Sequence, residues 1–182
     1  MTVGDQVQAS LDHWSAGEWR SALWHATAAL DETANKRYPW LDAGTRFKRT
    51  LREDVDIFSA MTAPDIDFVN SRFPVPAPSD LADGRPDIAD VLYAVHRYLH
   101  EDENVMPAGC EITAHADGVP MFEIARGRLW LRGSAVLGLL GIAVRGRFLY
   151  AYFTAADENR VERFGLRGEP GSLSLGAPEE II

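Results

Sequence analysis

The segment Pro86–Glu103, PDIADVLYAVHRYLHEDE, constrains this chain more than any other. Ile88, Val91, Leu92, Val95 and Leu99 recur at helical spacing and define one core stripe. Pro86 suits a first helical position, because its fixed φ fits there and its missing N–H would be unpaired anyway. Asp87 and Asp90 favour the positive end of the helix dipole. A second face, beside the stripe, gathers Tyr93, His96, Arg97 and His100. Glu101, Asp102 and Glu103 then crowd the negative end, so the helix is expected to stop near His100.

Helical periodicity fills the chain before this point. Val3–Trp14 reads as an opening helix with Val7 and Leu11 inward. Ser15 and Glu18 have capping-box spacing. Trp19, Ala22, Leu23, Ala26, Leu30, Thr33 and Ala34 then step by three and four, in a helix expected to end before Tyr38-Pro39. A third helix is expected from about Ala43 to Met61, burying Phe47, Leu51, Ile57, Phe58 and Met61. Five prolines between Pro64 and Pro86 predict a long loop, pinned by Phe68, Phe73 and Val75.

After Met106-Pro107 the period changes. Glu111–Ala116, Val119–Ala125 and Arg128–Arg132 read as strands, with Asp117-Gly118 a type I′ hairpin signal and Arg126-Gly127 a weaker turn. Ser134 is expected to cap Ala135–Val144, which is apolar all round and so reads as a buried helix containing Leu137 and Leu140. Phe148–Thr154 reads as a fourth strand or a helix. The expected fold class is therefore α+β: an N-terminal antiparallel helical bundle, then a small antiparallel β-meander and a buried helix. One domain is expected over 1–164, helical to 105, with a loosely ordered tail at 165–182.

Composition narrows the function classes. A net charge of −9 argues against nucleic-acid binding through overall charge. The single cysteine precludes an internal disulfide and fits a reducing cytoplasm. The first residues lack the basic and apolar regions of a signal peptide, and no apolar run is long enough for a membrane helix. GxSxG, GxxxxGK[ST], HExxH and CxxC motifs are absent, as is GxGxxG after a strand.

Five residue groups call for a reading. His96 and His100, four apart on one helix face, could meet a metal, with Glu101, Glu103, His25 or His115 completing the set. No third ligand is fixed by the sequence, so the expectation is no metal and no cofactor. Lys36, Arg37, Arg46, Lys48, Arg49 and Arg52 concentrate positive charge, with Tyr38, Trp40 and Phe47 interleaved. They read either as a phosphate- and base-binding patch, above all Arg46, Lys48, Arg49 and Arg52, or as a solvated exterior paired with Asp42, Glu53 and Asp54. Cys110 and His115 would fall on opposite faces of one strand, so they make no nucleophile pair. Trp14, Trp19 and Trp24 read as packing, with Trp24 off the main stripe of its helix.

The last group is Arg97 with His100. The order of long antiparallel helices, LYAVHRYLHED and a small β element resembles the HEPN superfamily. AALDETANKRYP and TRFKRTLRED are similar to the early helices of its bacterial members. That resemblance implies a dimer that cuts RNA without metal. His100 would move the proton and Arg97 would stabilise the phosphorane, while only Tyr98 and Leu99 separate the two.

Three functions follow as expectations: an RNA-binding protein or metal-independent endoribonuclease catalysed by Arg97 and His100; a non-catalytic interaction, scaffold or immunity domain presenting Tyr93 and His96; and a metal-binding bundle using His96 and His100. A homodimer, RNA or a protein are the partners these readings carry, with no membrane.

Overall fold

The computed structural model describes residues 1–63, 65–100, 110–113, 122–125, 128–144, 148–155, 158–167 and 174–180. The Asp117-Gly118 and Arg126-Gly127 turns, His115, Glu101 and Glu103 lie outside them. Two compact units result, Met1–Ala143 and Val144–Ile182.

Six helices form the framework of the first unit: α1 Val3–Ser15, α2 Trp19–Arg37, α3 Ala43–Glu53, α4 Val55–Thr62, α5 Ile88–His100 and α6 Gly133–Ala143. α1 begins with a reciprocal capping box between Thr2 and Asp5. The box expected at Ser15 and Glu18 does not form. Ser15 Oγ donates to the Asp12 carbonyl instead, and Glu18 gives α2 no side-chain cap. Ser10, fully buried, donates to the Ala22 carbonyl at 2.7 Å and joins α1 to α2. α2 buries Ala22, Leu23, Ala26, Ala29, Leu30 and Ala34, as its stripe implies, and ends at Arg37 ahead of Pro39.

The expected third helix is two. Asp54 closes α3 through its N–H to the Thr50 carbonyl and opens α4 through its own carbonyl. Its carboxylate, fully buried, takes the Arg37 guanidinium at 2.5 Å, a contact that holds the break in place. The proline-rich loop is pinned as its aromatics predict: Phe68, Phe73 and Val75 are buried, and Phe68 meets Phe58 edge-on at 5.4 Å.

Pro86 stays outside α5. Asp87 caps instead, accepting from the Asp90 N–H at 2.9 Å while Asp90 reaches back to the Asp87 N–H. Ile88, Val91, Leu92 and Val95 are buried, whereas Leu99 is only half-buried. α6 is buried, and it begins at Gly133, so Ser134 lies within it rather than capping it. Leu139 and Ile142 are its fully buried large residues; Leu140 is buried as expected, while Leu137 is half-exposed. Glycines let this helix press on its neighbours. A Cβ on Gly138 would lie 2.3 Å from Thr62 Oγ1, and one on Gly141 2.4 Å from Met61 Sδ.

The expected α+β architecture with an antiparallel meander is overturned. Helices dominate the first unit. Its short extended segments, β1 Cys110–Thr113, β2 Phe122–Ala125 and β3 Arg128–Arg132, align in the order β1-β3-β2, with β1 parallel to β3. β1 and β2 are therefore not neighbours, and a hairpin between them cannot be part of a meander. Leu129 and Leu131, two apart and both fully buried, make β3 the segment on which the others align. In the second unit β4 Phe148–Ala155, β5 Glu158–Arg167 and β6 Ser174–Glu180 pair antiparallel in chain order.

Candidate functional site

The polar face of α5 turns towards other helices. The Tyr93 ring lies 5.5 Å from Phe47 of α3, and Gly44 leaves it room: a Cβ there would be 3.1 Å from the ring. His96 stacks on Phe47 at 5.0 Å. Its Nδ1 is buried without a hydrogen-bond partner. Burial, and then the charges of His100 and Arg46, pushes its pKa down to about 3. A neutral imidazole on an aromatic ring is the consistent state.

His100 faces α2. It stacks on the Trp24 indole at 4.5 Å, and its Nε2 lies 3.1 Å from both the Trp24 carbonyl and Thr27 Oγ1. The carbonyl can only accept, so this nitrogen carries the proton and donates it. Arg97 sits in the last turn of α5, half-buried. The structure thus brings His96 and His100 together, with ring centroids 4.5 Å apart, but sends Tyr93 and His96 towards α3 and His100 towards α2. Among the described residues no three histidine, cysteine or acidic side chains are grouped to hold a metal.

The cationic cluster is paired throughout. Lys36 meets Glu32, Arg46 meets Asp31 and Arg49 meets Glu53. Arg37 bridges Glu53 and Asp54, and Tyr38 donates to Glu53. Lys48 holds Asp80 and Asp90, and Arg52 holds Asp80, Asp87 and Asp90. Of the partners read from the sequence, Glu53 and Asp54 serve, while Asp42 instead caps α3 by accepting from the Thr45 N–H. Hydrogen bonds from Arg52, and after burial's opposing effect those from Lys48, hold Asp80 well below the usual carboxylate range. Arg46, Lys48, Arg49 and Arg52 are therefore placed against carboxylates.

A cleft opens where sequence reasoning placed no site. His13, Arg20, Ser21, Trp24, His25 and Leu99 line a space of about 230 Å³ between α1, α2 and α5. The His13 and His25 rings stack 5.2 Å apart and 11° from parallel. His25 meets Trp24 edge-on at 4.6 Å, and Trp24 in turn carries His100. Four of the chain's five histidines thus form one continuous run of rings from α1 to α3. His13 Nδ1 lies 2.5 Å from the Glu18 carboxylate and His25 Nδ1 2.6 Å from Gln6 Oε1. Burial, then His13 and His100, lowers the His25 pKa. Arg20 is exposed and lies 5.2 Å over the Tyr98 ring. The one signal in the sequence was Trp24, off its helix stripe; His13 and His25 match no motif, because a helical hairpin brings them together.

Among the described residues no helix is long and apolar enough to cross a membrane. No solved structure matches the chain. It is similar to two mycobacterial proteins, uncharacterized protein Mb1320 of Mycobacterium bovis and uncharacterized protein Rv1289 of Mycobacterium tuberculosis. Each is 44% identical over 146 residues, which cover 79% of this chain and 70% of the relative. The Rv1289 family model matches residues 2–151, nearly all of the helical unit included, and the chain belongs to that family.

Proposed function

We propose that this chain acts by binding rather than by catalysis, and that the cleft between α1, α2 and α5 is where it binds. The carrying observation is the contrast between the two sets of polar groups. The polar side chains of α5 and α3 are spent on the fold: His100 donates to the Trp24 carbonyl, His96 stacks on Phe47, and the cations hold carboxylates. The cleft instead keeps groups with no such use. Arg20 has no carboxylate partner among the described residues, and the Nε2 atoms of His13 and His25 have no hydrogen-bond partner there.

The HEPN resemblance supports a different reading, in which Arg97 and His100 cut RNA. General acid–base catalysis needs an imidazole free to exchange its proton with substrate. His100 Nε2 is committed to a backbone carbonyl, which favours binding. The volume is below the usual range for drug-sized ligands, so the occupant is a small molecule or one side chain of a partner.

Nuclear magnetic resonance of labelled protein with a fragment mixture tests this. Shifts concentrated at Ser21, Trp24 and His25 are expected, with no RNA cleavage by the wild type. RNA cleavage that His100→Ala abolishes at unchanged melting temperature would overturn the proposal in favour of the nuclease.

A further inference from the structure

We infer that the cleft takes a single-ring ligand carrying one carboxylate or phosphate group, and this rests on the cleft being the binding site. Charge comes first. Arg20 is exposed, lies over the Tyr98 ring with no carboxylate partner among the described residues, and lines a space shared with two imidazoles and the Ser21 hydroxyl. Every cation in the Lys36 to Arg52 cluster, by contrast, has a carboxylate within 3.5 Å. A guanidinium with open donors matches carboxylate or phosphate oxygens in a forked pair.

Proton placement supports the same ligand. Both Nδ1 atoms point their hydrogens at acceptors, Glu18 and Gln6. Each Nε2 is therefore a bare acceptor while the ring is neutral and becomes a donor when the ring is protonated. Ser21 adds a hydroxyl in the first turn of α2, whose N-terminus has no side-chain cap. The charged and titratable groups around the imidazoles are Glu18 from the α1–α2 turn, Arg20 from α2, and His100 and Tyr98 from α5. Glu18, an anion beside them, is already engaged by His13.

Size and apolar lining set the rest of the ligand. At about 230 Å³ the cleft is small, the scale of one ring with its substituent. Trp24 and Leu99 give that ring an apolar wall.

The test uses the full chain titrated with phenylphosphate, benzoate, benzyl alcohol and inorganic phosphate, read at the Trp24 indole and Ser21 amide resonances. Benzoate or phenylphosphate should bind roughly tenfold more tightly than benzyl alcohol, the scale of a charge-assisted hydrogen bond. Whichever of the two binds better names the carboxylate or the phosphate. Arg20→Gln and Ser21→Ala should each weaken benzoate several-fold at unchanged melting temperature; Arg20 is exposed, so folding is spared. Benzyl alcohol binding as well as benzoate, or inorganic phosphate binding as well as phenylphosphate, would overturn the inference while leaving the cleft as the binding site. No perturbation of the cleft by any probe would overturn both.

Discussion

Replacing Arg52 by alanine should destabilise the helical unit by about 2–4 kcal/mol, and the size of that loss separates a structural cation from a nucleic-acid contact. Arg52 donates to Asp87 at 2.7 and 3.2 Å, to Asp90 at 3.1 Å and to Asp80 at 2.8 Å. The Asp90 side chain is fully buried and that of Asp87 is 9% exposed. Removing one partner of a buried ion pair costs about 3–5 kcal/mol, because a buried charge is left behind. Two effects reduce this. Lys48 remains 3.2 Å from Asp90, and the Arg52 side chain is itself 29% exposed, so water screens part of its charge. At roughly 2–4 °C per kcal/mol for a chain of this size, the melting temperature should fall by about 5–15 °C. Circular dichroism melts of wild type and Arg52→Ala measure it. The acid limb gives a second reading. The folded pKa values of Asp80 and Asp87 lie below the ordinary 3.8; Arg52 is the largest cause for Asp80 and overcomes burial for Asp87. Their stabilisation is therefore complete above about pH 4 and lost as pH falls through the lower folded values, and Arg52→Ala should have a flatter acid limb. Wild-type melting together with lost RNA binding would refute the reasoning and restore Arg46, Lys48, Arg49 and Arg52 as a phosphate patch.

Two further outcomes test the packing. Gly138→Ala gains about 1 kcal/mol of helix propensity but places a methyl 2.3 Å from Thr62 Oγ1 and 2.7 Å from Phe58, both fully buried, so a net loss of about 1–2 kcal/mol is expected in urea unfolding. Unchanged stability would mean that α4 and α6 are not in this register. His96→Phe should keep the stack on Phe47, remove an unpartnered buried nitrogen and raise stability by about 1 kcal/mol. The wild-type imidazole protonates near 6.5 when unfolded and near 3 when folded, so it draws stability down as pH falls between those values, and the variant should lack that slope.

The helices were legible because each carries a stripe that must be buried: Ala22 to Ala34 in α2, and Ile88 to Val95 in α5. The break at Asp54 was not, because its cause is a contact with Arg37, 17 residues earlier, and periodicity continues across it. The order of the extended segments β1, β2 and β3 was not readable. Turn chemistry speaks for neighbours in sequence, whereas β1 aligns on β3 because β3 carries the buried Leu129 and Leu131. The cleft was hidden for a similar reason. His13 and His25 are 12 residues apart with a turn between, and no linear spacing marks them as stacked.

Polar residues on an amphipathic helix invite functional readings, and α5 shows how such residues can be used up by the fold. Its N-terminal carboxylates, Asp87 and Asp90, cap the helix and anchor the cations of α3. Its C-terminal imidazoles dock on Phe47 and on Trp24. The helix is thereby tied to α3 at both ends and to α2 at its C-terminal end through groups that would be costly to bury unpaired. Trp24 is the link to the cleft. One ring contact fixes it to His100, and another sets the angle of His25, which stacks on His13. A substitution at His100 should therefore reach ligand binding through Trp24, without His100 touching the ligand.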